Sequence, residues 1–258
     1  MLAASSPTLP AMDSPVRLHW LDPRHPLQPF PPVHLAMREP NGLLAIGGDL
    51  SLTRLLRAYA QGIFPWYNPD EPILWWCPDP RAVLVPDRLH VSRSLHRTIR
   101  RADYAVTLDR AFEAVLDGCA APRRGSQGTW LGGDMRRAYR QLHAHGHAHS
   151  VEVWRAGTLI GGLYGVVSGR VFFGESMFSA ATDGSKLAMF WLCRQLQAWH
   201  FSLIDCQVKS PHLDRLGAIE MPRETFLREL ALSRERPHPP GIWRFGIEVP
   251  SSPEHLPR

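Results

Sequence analysis

The stretch from His149 to Ser179, HSVEVWRAGTLIGGLYGVVSGRVFFGESMFS, constrains the fold more than any other part of the chain. It contains no proline, is rich in β-branched and aromatic residues, and is punctuated at Ala156-Gly157 and Ser168-Gly169. Those turn signals divide it into three consecutive strands, and strands so closely joined can only pair antiparallel. The period then changes. GSKLAMFWLCRQLQAWH reads as a helix with a wide apolar face, FSLIDCQV as one more strand, and ETFLRELAL as part of a closing helix. Upstream, Phe112, Val115, Leu116 and Cys119 mark one amphipathic helix with Asp109 near its start. Met135, Ala138, Tyr139 and Leu142 mark another, with Asp134 as its cap and Gly146 at its end. A meander, a helix and a further strand make an α+β layer.

The N-terminal part differs in texture. Residues 20–40 are proline-dense and hold neither long helices nor central strands. A helix follows with Ser51 as N-cap, Leu52, Leu55, Leu56 and Tyr59 on one face, and Gly62 at its end. IFPWYNPDEPILWWCPDPRAVLVP then reads as a proline-punctuated aromatic boundary. The expected organisation is a loose leader over 1–19, a small N-terminal domain over 20–80, a larger domain over 81–232 and a tail over 233–258. With 44% hydrophobic residues and nine tryptophans among 258, the chain can furnish a proper core. No apolar run approaches the ~20 residues of a membrane helix, and the first residues lack the pattern of a secretory signal. Four cysteines without a C-x-x-C pair argue against thiolate zinc and against a disulfide framework, so a cytoplasmic setting is expected.

The formal charge of +5 is unevenly carried: Arg88 to Arg140 holds eleven arginines against five acids. Pairs at Arg100-Arg101, Arg123-Arg124 and Arg136-Arg137 suit nucleic-acid phosphates, or reflect arginine-rich coding, since Lys186 and Lys209 are the chain's lysines. Glu175 stands alone among Phe172, Phe173, Met177 and Phe178. A glutamate so placed either points to water or lines a pocket where it meets a cation. In LIDCQV, alternation puts Asp205 and Gln207 opposite Ile204, Cys206 and Val208. That is an ordinary half-solvated strand face, or, beside Glu175, the polar wall of a small-ligand pocket. His143, His145, His147 and His149 are spaced by two around Gly146, which fits solvent-facing or backbone-bonded histidines better than metal ligands. Cys206 reads as a small core residue.

Taken in order, REPNGLLAIGGDLS, GIFPWY, PILWWCPDPRAVL, GTW, GHAHSVEVW, GGLYGV, GESMFS and LIDCQV resemble the bacterial leucyl/phenylalanyl-tRNA–protein transferases, from about Arg38 to Leu230. The resemblance implies a small N-terminal domain and a larger acetyltransferase-like domain with a mostly antiparallel sheet and packed helices. It implies transfer of Leu, Phe and less readily Met from tRNA to the α-amino group of proteins beginning with Arg or Lys, which feeds N-end-rule degradation. No metal or organic cofactor is implied, because the aminoacyl ester is already activated. The chain is expected to act as a monomer away from membranes. By the resemblance, Trp66 and Trp130 meet the tRNA's 3′-terminal adenosine. Leu163, Phe172, Met177 and Leu192 form the donor side-chain pocket, and Glu175, Asp205 and Gln207 are the polar catalytic positions. Asp205 is expected to hold the amine and take its proton, with Gln207 orienting the amine or the reacting carbonyl. Where other members carry methionine and an aromatic residue, this chain has Leu163 and Leu192, and its KSPHLDRLGA loop departs from the usual polar loop. A coenzyme-A-dependent N-acyltransferase and a non-catalytic tRNA-binding module are the alternatives. The first lacks a [QR]-x-x-G-x-[GA] pyrophosphate motif.

Overall fold

The computed structural model describes residues 18–122, 131–235 and 243–256. Two sheets organise them. The smaller has the order β1-β2-β4-β3, from β1 (His19–Leu21), β2 (Leu43–Gly47), β3 (Phe64–Pro65) and β4 (Leu74–Trp76). Helix α1 (Leu52–Tyr59) starts where Ser51 accepts a bond from the Arg54 amide, as its sequence position predicts. The proline-dense segment is irregular but not loose. The Arg54 guanidinium, fully buried, donates to the carbonyls of His25 and Gln28 and faces Asp49 at 3.6 Å.

The larger sheet has seven strands in the order β11-β5-β10-β9-β8-β7-β6. In chain order its parts are β5 (Arg81–Leu84), α2 (Arg93–Arg101), β6 (Ala105–Leu108), α3 (Phe112–Ala120), α4 (Gly133–Ala144), β7 (Ala148–Arg155), β8 (Thr158–Ser168) and β9 (Val171–Ser179). Then follow α5 (Gly184–Ala198), β10 (Leu203–Gln207), α6 (Pro211–Arg215), β11 (Ile219–Met221) and α7 (Arg223–Glu235). Strands β7 to β9 form the antiparallel meander expected from the sequence, and β6 adds antiparallel to the edge of β7. Strand β10 returns parallel to β9 after crossing over through α5, as parallel neighbours require. The start of α5 lies directly on β8: a Cβ at Gly161 would come 2.5 Å from the Gly184 carbonyl carbon. The mixed α+β architecture is as expected.

Alternation along β9 and β10 sends side chains into two cores. Leu203 and Phe173 join the N-terminal sheet's core, whereas Ile204, Cys206 and Phe172 pack beneath α5. Asp109 lies just before α3, as expected; it holds φ +55° and bonds His149 and the Ser150 amide. Gly132, not Asp134, occupies the N-cap of α4. The aromatic stretch contributes β3 and β4 to the smaller sheet and β5 to the larger. Among the described residues, no helix is long and apolar enough to cross a membrane.

Candidate active site

Two irregularities, one in each of two neighbouring strands, build the site. The parallel register of β9 and β10 runs through Leu203↔Val171, Ile204↔Phe172 and Asp205↔Phe173 and stops there. On β9, Tyr164 opposes Ser176 while the next residue, Gly165, opposes Gly174, so Glu175 is the extra residue of a β-bulge. On β10 the register with β5 shifts between Asp205 and Gln207, and Gln207 holds φ +59°. The Val208 amide bonds the Cys206 carbonyl at 2.7 Å, closing a γ-turn about Gln207, a strained form that a side-chain-bearing residue rarely adopts. Bulges at strand ends re-aim side chains. Here they bring Glu175 and the Gln207 turn to the place where the two strands part.

The first bulge changes the expected neighbours of Glu175. It puts the carboxylate on the face opposite Phe172 and Met177, which pack under α5, while the Phe178 ring lies over Gly118 of α3. Glu175 is fully buried and accepts bonds from the Tyr59 hydroxyl at 2.9 Å and the Tyr139 hydroxyl at 2.6 Å. Burial pushes its pKa up; the two tyrosine donors oppose the shift, and nearby Asp205 adds to it. Burial and the Glu175 charge hold both tyrosines well above their ordinary pKa, so they stay protonated and donate. The Tyr164 hydroxyl is buried beside them, its ring edge-on to Tyr139 at 5.1 Å, with no acceptor among the described residues.

Asp205 is also fully buried, on the same face as Glu175. Its oxygens take the Arg81 Nε at 2.7 Å and Nη2 at 2.6 Å, and Oδ1 additionally accepts the Gln207 amide at 3.0 Å. Three of about four lone-pair directions on the carboxylate are thereby used. This differs from the expected proton acceptor facing a pocket: the committed oxygens suit holding Gln207 rather than receiving a proton from an incoming amine. Burial works against the Arg81 charge, and Asp205 restores it and raises the guanidinium's pKa.

Leu163, Phe172, Met177 and Leu192 meet in one buried cluster between the sheet and α5. Trp66 is packed against Trp76 with ring centroids 5.8 Å apart, and its indole N–H finds no acceptor among the described residues. Trp130, Arg123 and Arg124 lie outside the described residues. Arg100 and Arg101 line an open groove of about 830 Å³ with Arg97 and Arg155. Arg136 and Arg137 instead pair with Asp117 and Asp134.

The histidine tract is bonded internally. His143 Nδ1 meets the Ala148 carbonyl, His145 Nδ1 the Gln141 carbonyl, and His149 Nδ1 the Asp109 carboxylate at 2.6 Å. Asp109, His143 and His149 could gather ligand atoms within 4.8 Å of one another, but Asp109 also accepts the Ser150 amide, so each group already serves the protein. Asp109 is not legible as the partner from sequence, because it lies 40 residues from His149. Cys206 is a core residue, its thiol pushed up to about 12 by burial.

The fold is thus an α+β one with buried carboxylates where a crossover-linked pair of strands parts. The family model described as leucyl/phenylalanyl-tRNA protein transferase matches residues 83–231, and the model of that family's N-terminal domain matches residues 48–79. The leucyl/phenylalanyl-tRNA–protein transferase of Alkalilimnicola ehrlichii is 54% identical over 234 residues, 90% of this chain and 91% of that one. Those of Nitrosomonas europaea and Stutzerimonas stutzeri are 54% and 56% identical, covering 88% and 81% of this chain and 96% and 92% of theirs. The chain therefore belongs to the leucyl/phenylalanyl-tRNA–protein transferase family and is an aminoacyltransferase. A solved L-PGS structure from Bacillus licheniformis aligns at 10% identity and a TM-score of 0.36 over 58% of this chain and 48% of that one, a likeness that carries no argument.

Proposed function

We propose that the parting of β9 and β10 is the transfer centre. There leucine, phenylalanine or, less readily, methionine passes from the 3′ end of its tRNA to the α-amino group of a protein beginning with Arg or Lys. The observation that carries this reading is the pairing of two backbone distortions, the Glu175 bulge and the Gln207 γ-turn, at the point where the parallel ladder stops. Strained positions of this kind persist where the surrounding structure fixes them for a purpose.

In the reaction the amine nitrogen attacks the ester carbonyl carbon, a C–N bond forms, the C–O bond to the ribose breaks, and the amine's proton ends on the ribose oxygen. An α-amine with a pKa of ~7.7–8.0 is partly neutral at cellular pH, so orientation governs the rate. The Gln207 side-chain carbonyl accepts a hydrogen bond from the amine and aims its lone pair, while Asp205 fixes Gln207. Glu175, whose buried charge has tyrosine donors but no ion-pair partner within 4 Å among the described residues, supplies countercharge to a substrate cation. That cation is the donor's α-ammonium or the acceptor's basic side chain. Leu163, Phe172, Met177 and Leu192 receive the donor side chain. Trp66 and Trp130 stack the terminal adenosine, worth about 1–3 kcal/mol per base. The Arg97, Arg100, Arg101 and Arg155 groove carries acceptor-stem phosphates, with Arg123, Arg124, Arg136 and Arg137 as further contacts. The enzyme works as a cytoplasmic monomer.

The test is transfer of labelled leucine from its tRNA to peptides beginning with Arg, Lys or Ala. Label on the Arg and Lys peptides alone supports the reading. Equal label on the Ala peptide removes the acceptor rule, and no label on any peptide from protein that binds the tRNA removes the reaction.

A further inference from the structure

We infer that Arg81 is a positioning residue for the transfer reaction, acting through Asp205 on the backbone turn that presents Gln207; this rests on the reading of the transfer centre above. The guanidinium is fully buried and clamped between two rings, 4.9 Å from the Phe64 centroid and 4.6 Å from that of Phe226. Those rings come from the N-terminal sheet and from α7, so two separate elements fix the plane of the fork. The fork grips both Asp205 oxygens, and Oδ1 is shared between Arg81 Nε and the Gln207 amide. Ala82, the next residue of β5, sits directly opposite Gln207 across the bulge. The strained φ of Gln207 thus has an anchor on each side: the Asp205 carboxylate that takes its N–H, and the Arg81 strand that takes the bulge.

Stability alone does not explain this arrangement. A buried ion pair recovers little more than the desolvation of its two charges, and apolar residues of the same volume often serve as well. What the pair supplies is a fixed direction. A planar fork, unlike a lysine ammonium, sets the rotation of the carboxylate as well as its position, and the direction of Oδ1 sets where the Gln207 N–H, and hence its side chain, points.

The experiment uses the full-length protein with labelled phenylalanyl-tRNA and an Arg-initiated peptide, rates being normalised to tRNA-binding sites. Arg81→Lys keeps the charge and loses the fork. The expected result is a fall in kcat of about 100-fold, the scale of a misplaced reacting group, with both KM values within about threefold of wild type. Arg81→Lys/Asp205→Asn should be no slower than Asp205→Asn alone, because two residues acting in series are not additive. Wild-type kcat in Arg81→Lys overturns the inference, and so does a double variant slower than Asp205→Asn by the full single-variant factor. If Arg81→Lys does not fold, Phe226→Leu removes one face of the clamp and should lower kcat by about 3- to 10-fold at unchanged KM; an unchanged kcat there overturns the inference equally. Wild-type protein that transfers nothing defeats the transfer reading itself, whereas an active wild type with an unaffected Arg81→Lys defeats only the role of Arg81.

Discussion

Glu152 offers a quantitative test of how this sheet tolerates charge. It lies in the middle of β7, fully buried, and accepts bonds from the Ser150 and Thr107 hydroxyls and from the Arg110 amide at 3.3 Å. Burial pushes its pKa from the ordinary 4.5 to about 7, with the hydroxyl and amide donors opposing the shift. Because the folded-state value is raised, the folded protein holds the proton more tightly than the unfolded chain. The stabilisation is fully present below about pH 4.5 and is lost as pH rises through 7. A rise of about 2.5 units at ~1.4 kcal/mol per unit makes that loss about 3 kcal/mol. Glu152→Gln stays neutral throughout. Urea unfolding of both proteins between pH 4.5 and 8.5 at fixed ionic strength should therefore show the variant gaining on the wild type by about 3 kcal/mol across this range. Parallel pH profiles would refute the reasoning, since they would mean that Glu152 is ionised at the bottom of the range or hydrated in the folded state.

Other consequences concern the site and its packing. Tyr139→Phe removes the shorter of the two donors to Glu175; it should cost about 1.5–3 kcal/mol at neutral pH in chemical unfolding, and less as pH falls and the carboxylate takes up a proton. Leu192→Ala empties a fully buried position in the proposed donor pocket. It should cost about 2–5 kcal/mol in thermal or chemical unfolding, and shift the ratio of kcat/KM values toward phenylalanine and away from leucine. At Gly165 a Cβ would lie 2.2 Å from the Phe173 carbonyl oxygen, so Gly165→Ala should lower stability by about 1–3 kcal/mol or more, read as a drop in Tm.

The meander and the helix after it are legible because alternation and turn residues mark them locally: Ala156-Gly157 is one turn that forms, and Gly169-Arg170, one residue past the expected pair, is the other. Helix α2 is hidden in the sequence, since only Leu95 of RSLHRTIRR is buried and its arginines obscure the period. Glu175, Asp205 and Gln207 are legible as candidates, and alternation alone sets Asp205 opposite Ile204 and Cys206, but the face of Glu175 is not legible. The bulge that turns Glu175 away from Met177 depends on which residues pair across β8 and β9, which no single strand reveals. Arg81 is hidden for the same reason: in PDPRAVL it reads as a polar residue at the start of a strand, and its partner lies 124 positions further on. The tyrosines on Glu175 were read as core positions of α1 and α4, correctly by periodicity, but periodicity does not show where a hydroxyl points.

The central claim, that the turn at the end of β10 does the transfer, is tested most directly by Gln207→Ala in a single-turnover assay. Excess enzyme is mixed with labelled phenylalanyl-tRNA and an Arg-initiated peptide, and tRNA binding is measured in parallel. The account predicts transfer slowed by about 100-fold or more with the Kd for tRNA within about threefold of wild type. Transfer at the wild-type rate would contradict it and move the chemistry away from the parting of β9 and β10.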